Sequence, residues 1–178
     1  MSVVKKEERY TIYDIYTLPE GERAELIDGQ IYDMAPPSRS HQKLLHFFDR
    51  TIGNYIQAKQ GTCEIYPAPF AVFLKNDGQN YVEPDISVIC DPSKLDEKGC
   101  HGAPDWILEI VSPGSRQMDY YKKLFLYHMA GVREYWVVDP AKKLITVYHF
   151  EQDTMTEYSF GETVPIGIYP DFSIKVAL

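Results

Sequence analysis

The spacing of apolar positions changes along the chain, and each change marks an element. Residues 11–17 read as one short helical turn, stopped before Pro19. The run Ala24-Glu25-Leu26-Ile27-Asp28-Gly29-Gln30-Ile31-Tyr32 predicts a hairpin. Its Asp-Gly pair, set between β-prone stretches, supplies the positive φ angles of a type I′ turn. Pro36-Pro37-Ser38 ends the hairpin, and Ser38 or Ser40 is placed to cap a helix. The segment 40–60 carries Leu44, Leu45, Phe48, Ile52, Tyr55 and Ile56 at steps of three and four, the signature of a helix with one buried face. Gly61 is expected to stop it.

Three strand-like runs come next, over 64–74, 81–90 and 104–111, separated by Asn76-Asp77-Gly78 and by the polar stretch 91–102. Ser112-Pro113-Gly114-Ser115 turns the chain into a second helix over 117–130, ended by Gly131. Strands at 134–138 and 145–150 come after it, and 158–176 is expected to add one or two edge strands broken by Gly161, Pro165 and Pro170. A strand–helix–strand unit over 104–139 implies a parallel pair with a right-handed crossover. The expectation is an α/β fold, a mixed sheet flanked by helices, with an N-terminal hairpin and a β-rich C-terminal tail. No repeat or linker interrupts it, so one domain over 1–178 is expected.

Composition narrows the class. With 178 residues, 44% apolar and 25% charged, the chain is neither disordered nor collagen-like. No apolar run approaches the roughly 18 residues of a membrane span, and MSVVKKEERY lacks a signal-peptide core. Three cysteines, Cys63, Cys90 and Cys100, are an odd number without CxxC spacing, which argues against a disulfide framework and a structural zinc site. A cytoplasmic protein is expected, without a membrane partner.

Charge complicates the choice of substrate. Eighteen basic against 26 acidic residues give −8, a field that repels nucleic acid at long range. The distribution is uneven: 39–59 holds four Lys/Arg and one acid, and 116–143 holds six and three, so both windows are net +3. A divalent-metal site also concentrates carboxylates whose local sign the ion reverses.

Three polar residues stand where apolar ones would cost less. In Tyr81-Val82-Glu83-Pro84-Asp85-Ile86-Ser87-Val88-Ile89, a period of two puts Val82, Pro84, Ile86 and Val88 on one face and Glu83, Asp85 and Ser87 on the other. A strand with one solvated face would explain this too. Pro84 cannot donate to a ladder, so the strand is an edge or is bulged there. In Trp106-Ile107-Leu108-Glu109-Ile110-Val111 both faces are apolar except at Glu109. A lone carboxylate in a central strand costs several kcal/mol (order of magnitude) unless paired or metal-bound. Asp119, Lys123 and Tyr127 line one side of the second helix; an exposed i, i+4 pair is the plain reading, and reach toward Glu109 is the functional one. Two carboxylates and a lysine in this relation suit hydrolysis at a Mg²⁺ or Mn²⁺ ion.

On these residues the chain resembles the Uma-type endonucleases of the PD-(D/E)XK superfamily. The strings that carry the resemblance are Glu25-Leu26-Ile27-Asp28-Gly29, Ser40-His41-Gln42, Glu83-Pro84-Asp85, Glu109-Ile110-Val111-Ser112-Pro113, Asp119 with Lys123 and Tyr127, and Gly131-Val132-Arg133-Glu134-Tyr135-Trp136-Val137-Val138-Asp139-Pro140. One departure stands out: the signature's lysine belongs two residues after the glutamate, where this chain has Val111. The resemblance implies that Lys123 has taken over from the following helix, and that Lys122, about 100° round it, has not.

The same resemblance implies a restriction-endonuclease-like core and hydrolysis of DNA phosphodiesters. Asp85, Glu109 and the main-chain carbonyl of Ile110 would bind Mg²⁺ or Mn²⁺, Lys123 would assist the water or the transition state, and Glu25 would be a further acid. His41, at a helix N-terminus suited to phosphate, and Tyr127 are expected near the substrate. A homodimer is expected on symmetry grounds, with no interface identifiable. The alternatives left open are a non-catalytic DNA- or protein-binding module of the same fold, and a hydrolase of small phosphate esters.

Overall fold

A computed structural model describes residues 9–75 and 77–177. In chain order the elements are α1 (Ile12–Tyr16), β1 (Ala24–Ile27), β2 (Gln30–Asp33), α2 (Arg39–Lys59), β3 (Glu64–Pro67), β4 (Val72–Phe73), β5 (Ile86–Ile89), β6 (Leu95–Asp96), β7 (Gly99–His101), β8 (Trp106–Ile110), α3 (Lys123–Ala130), β9 (Glu134–Asp139), β10 (Leu144–His149), β11 (Thr154–Ser159), β12 (Thr163–Ile166) and β13 (Tyr169–Lys175). Six strands form the main sheet in the order β11-β10-β9-β8-β5-β3. It is mixed: β8 and β9 run parallel, as the strand–helix–strand reading requires, and the other neighbours are antiparallel.

Alternation along the central strands sorts the core into two layers. Trp106, Leu108 and Ile110 of β8 join Leu44, Leu45, Phe48 and Ile52 of α2 and the tail residues Val164, Ile166 and Ile174. Ile107 and Val111 face the other way, with Leu126 and Tyr127 of α3 and Ile27 of the hairpin. Glu109 shares the face of Ile107 and Val111 by the period-two rule, so it looks toward α3.

Helix α2 forms where its stripe predicts. Ser38 is its N-cap, accepting from the His41 N–H at 3.2 Å. Burying side chains such as Phe48 and Ile52, both fully enclosed, contributes about 1.5–3 kcal/mol each. It ends just before Gly61, with Gln60 at φ 53° in the left-handed C-cap position. In the β1–β2 turn both Asp28 (φ 51°) and Gly29 (φ 74°) have the positive angles the sequence predicts.

Other segments depart from their sequence reading. Regular pairing of β5 begins only at Ile86, so Pro84 lies ahead of the ladder and not on an edge strand. Val82 accordingly packs in the layer opposite that of Ile86 and Val88. The stretch 91–102 is not a plain connection: β6 and β7 form a hairpin that adds to β4 in a three-stranded sheet. The second helix starts as a π-helical turn, Met118–Lys122, before α3. The tail holds three strands, with Pro165 and Pro170 inside β12 and β13, because a two-stranded ribbon leaves outward N–H positions a proline can occupy. Cys63 and Cys90 form a disulfide against the expectation of none, and Cys100 is free and buried. Their pairing follows from register: Glu64 stands opposite Ile89, which brings the residues just outside them face to face. It also removes cysteine usage as an argument for a reducing compartment. Among the described residues no helix is long and apolar enough to cross a membrane.

Candidate active site

Four segments meet at one end of β5 and β8. The hairpin brings Glu25, because Leu26 and Tyr81 exchange main-chain hydrogen bonds of 2.7 and 2.8 Å and so set β1 beside the chain entering β5. Glu25 Oε1 then accepts the Glu83 N–H at 3.1 Å. Asp85 and Glu109 come from neighbouring strands, and the Asp85 N–H donates to Glu109 Oε2 at 3.3 Å. In return the Ile110 N–H donates to Asp85 Oδ2 at 2.7 Å. These two bonds tie the carboxylates to each other's backbone.

Lys123 lies among the acids. Its Nζ is 2.8 Å from Glu25 Oε2, 2.9 Å from Glu109 Oε1 and 3.9 Å from Asp119 Oδ1. All four side chains are buried, so the solvated i, i+4 reading of Asp119 and Lys123 does not hold. Lys122 points elsewhere, onto the ring and hydroxyl of Tyr32. Lys123, fourteen residues after Glu109 in the chain, thus donates directly to its carboxylate.

The site is electrostatically unbalanced. Glu25, Glu109 and Asp119 converge on one ammonium group, with Asp85 beside Glu109 and His41 at the margin. Burial pushes the Glu109 carboxyl up to about 8; Lys123 opposes this, and Asp85, Asp119 and Glu25 add to it. Burial likewise raises Asp119 to about 6, against Lys123 and the Ser115 hydroxyl. Burial works to discharge Lys123, and the surrounding carboxylates more than offset it, holding its pKa well above the ordinary value.

The remaining expected residues act on this cluster. Tyr127 is fully buried and its hydroxyl donates to Glu109 Oε1 at 2.7 Å, so it orients the carboxylate and has no opening toward a substrate. His41 Nε2 is 3.1 Å from Asp85 Oδ2, while its Nδ1 is buried without a partner. Burial of His41 lowers its pKa, but the hydrogen bond and charge of Asp85 raise it further, for a net increase. Beside it, Ser38, Arg39, Ser40 and Lys43 line an open pocket at the start of α2.

Three supports were not among the expected site residues. Asp119 is a fourth acid of the cluster, held by Ser115 Oγ at 2.5 Å, and its spacing from Lys123 was the available signal. Tyr135 donates to the Asp119 carbonyl at 2.9 Å, inside the π-helical turn, a role its place in the Gly131–Pro140 string does not disclose. Glu83 takes Arg23 and the Tyr81 hydroxyl, the latter at 2.6 Å, and so fixes the strand that presents Asp85.

A bound cation has to fit this donor set. Among the described residues no group of three or more His, Cys, Asp or Glu side chains is arranged to hold a metal, so a closed protein cage is absent there. Mg²⁺ does not need one, since one or two carboxylates suffice with water and substrate oxygens. Asp85 Oδ1 makes no hydrogen bond among the described residues, and the excess of buried negative charge favours a cation. The residues fit a hard divalent ion.

Known proteins agree with this architecture. The chain is 31% identical over 133 residues to the uncharacterized protein slr1290 of Synechocystis sp., covering 74% of this chain and 68% of that one. The crystal structure of a "putative nuclease belonging to DUF820" from Anabaena variabilis superposes with a TM-score of 0.75 at 23% identity, covering 93% of this chain and 94% of the other; it shares the fold. The model of the Uma2 family, described as "Putative restriction endonuclease", matches residues 8–177, and the chain belongs to that family.

Proposed function

We propose that this protein is a Mg²⁺- or Mn²⁺-dependent endonuclease that hydrolyses phosphodiester bonds in DNA. One observation carries the reading: Lys123 meets Glu109 beside Asp85, which restores in space the acid–acid–lysine set that the local sequence breaks at Val111. Family membership and the shared nuclease fold support it.

Asp85 and Glu109 would hold the cation, with the Ile110 carbonyl as a third donor. When bound, the ion would acidify a water molecule and offset charge on the phosphate. Lys123, surrounded by three acids, is kept as a cation; it would stabilise negative charge on the attacked phosphate and orient the water, not remove its proton. Glu25 holds Lys123 from the far side and is bonded to the Glu83 backbone, so it fixes the ammonium group independently of Glu109. His41 and Tyr127 each orient one of the two carboxylates.

DNA must reach this site against the net charge of −8. Arg39 and Lys43, beside Ser38 and Ser40, are in no ion pair among the described residues and offer the phosphate backbone a local footing. Binding through so few contacts is expected to be weak and salt-sensitive.

The test is cleavage of supercoiled plasmid and of oligonucleotides, with and without Mg²⁺ or Mn²⁺, by the wild type, Asp85→Ala and Glu109→Ala. The reading expects metal-dependent nicking that both variants lose. Unchanged cleavage in both variants overturns it. No carboxylate-dependent Mn²⁺ binding in calorimetry would support the non-cleaving module, and activity on nucleotides alone the small-ester hydrolase.

A further inference from the structure

The helix that supplies Lys123 and Tyr127 from its inner side carries the opposite kind of surface outside. Tyr121, Phe125 and Met129 stand four residues apart along the π-helical turn and α3, and are 73%, 67% and 61% exposed. Other large exposed apolar side chains are tyrosines around α1, whose hydroxyls can stay in water, and a lone Met155 on β11. Among the described residues, only the α3 stripe joins exposed Phe and Met in one row. From these observations we infer that this outer face of α3 is where two copies of the chain associate, as a weak two-fold dimer.

Three arguments favour a second copy as the occupant. The first is charge. From 117 to 132 the only acid is Asp119, which is buried, in a molecule of net charge −8. Two like-charged copies meet at lower electrostatic cost along a helix whose own exposed side chains include no acid. A nucleic acid is disfavoured by the same face: Lys123 is buried, Lys122 lies against Tyr32, and no other Lys or Arg occurs in that segment.

The second is self-complementarity. A two-fold axis through Phe125, with the helices antiparallel, sets each Phe125 against its copy and each Tyr121 against the other copy's Met129. Such an isologous contact needs one patch that matches itself, and it pairs a thioether with an aromatic ring at both ends.

The third is area. Large side chains of this kind expose on the order of 150–250 Å² when free, so three about two-thirds exposed give roughly 300–500 Å² per copy. Doubling this gives roughly 600–1,000 Å², below the approximately 1,200 Å² of a stable interface. The association is therefore reversible and concentration-dependent. It does not depend on the nuclease reading, but it would brace the back of the helix that carries Lys123.

Sedimentation equilibrium of the full chain from low micromolar to near-millimolar concentration tests this. The wild type is expected to dimerise reversibly, with a dissociation constant roughly between micromolar and millimolar. Phe125→Glu and the milder Phe125→Ser should weaken this by about tenfold or more, while Gln57→Glu, exposed on α2 across the sheet, leaves it unchanged. Far-UV circular dichroism confirms that each variant is folded. Under mild oxidation Phe125→Cys should give a covalent dimer, the signature of a residue on the axis. A wild type that stays monomeric throughout overturns the proposal, as does a dimer that survives in folded Phe125→Ser.

Discussion

Lys123 reaches Glu109 across 2.9 Å although one lies on a helix and the other in the middle of a buried strand. The parallel crossover from β8 to β9 brings this about, because α3 is the connection that must pack back over the strand it left. The ammonium group arrives with Asp119 from its own helix and meets Glu25 from the hairpin. The lysine is thus as firmly held as one within the strand itself would be.

Removing either partner should have unequal consequences for stability. Lys123→Met keeps the volume and leaves Glu25, Glu109 and Asp119 without their cation, at a cost of about 3–5 kcal/mol. Glu109→Gln can still accept from Tyr127 and Lys123 while relieving repulsion among four acids, so its stability should stay within about 1 kcal/mol of wild type. Urea denaturation measures both, and nicking assays should find both inactive. A Glu109→Gln variant as unstable as Lys123→Met would show that the cluster is balanced without a bound cation.

A metal that binds only the folded state raises the unfolding temperature, by an amount that grows with the logarithm of its concentration over its dissociation constant. Millimolar Mn²⁺ should therefore raise the wild-type midpoint by a few degrees, roughly what 1 kcal/mol does in a domain of this size. Asp85→Asn keeps an acceptor for the Ile110 N–H and should show no such rise. Differential scanning calorimetry with and without Mn²⁺ makes the comparison, and an equal rise in the variant would place the ion elsewhere.

What the sequence disclosed, and what it did not, divides along the range of the interactions. The α2 stripe and the Asp28-Gly29 turn are local, and both form where their residues predict. Glu109 was conspicuous because its strand is otherwise apolar on both faces, a pattern that holds whatever packs on it. The burial of Asp119 was hidden because it depends on Tyr135 and Ser115 closing around a π-helical turn. The Cys63–Cys90 pair was hidden because only the register of β3 on β5 sets the two opposite each other. Gln60 at the end of α2 adopts an angle for which the adjacent Gly61 was the better local candidate, and nothing in the structure explains that preference.

The small sheet should be intolerant of a side chain at Gly99. Its φ of 142° is outside the ordinary range for other residues, and a Cβ would lie 2.2 Å from the Ala71 carbonyl oxygen. That oxygen accepts the Cys100 N–H at 2.9 Å, so the neighbour cannot retreat without breaking β7 from β4. Gly99→Ala should cost about 2–4 kcal/mol, read as a lower midpoint in thermal unfolding. Gly78→Ala is the control: its φ is also positive but no atom lies within 4 Å, so it should lose only about 1 kcal/mol.

Asp139 ends β9 fully buried, and four groups converge on it. Arg116 makes a two-point contact at 2.6 and 3.4 Å, Tyr120 approaches at 3.4 Å, and the Ala141 and Lys142 N–H groups donate at 3.1 Å each. Arg116 lies between Ser115, which holds Asp119, and the π-helical turn. Asp139 therefore anchors the segment that places the acid and the lysine of the site, though it touches neither. Asp139→Asn keeps an acceptor for the turn N–H groups and loses the charge opposite Arg116, whose guanidinium is partly exposed and can turn to water. It should cost about 1–2 kcal/mol. Asp139→Ala strands the buried N–H donors as well and should cost about 3 kcal/mol or more. If the anchor positions Lys123, nicking by Asp139→Asn should fall severalfold at a temperature where the variant is fully folded, with Mn²⁺ affinity unchanged in calorimetry. A loss of activity that only tracks the unfolded fraction would make Asp139 a stability residue alone.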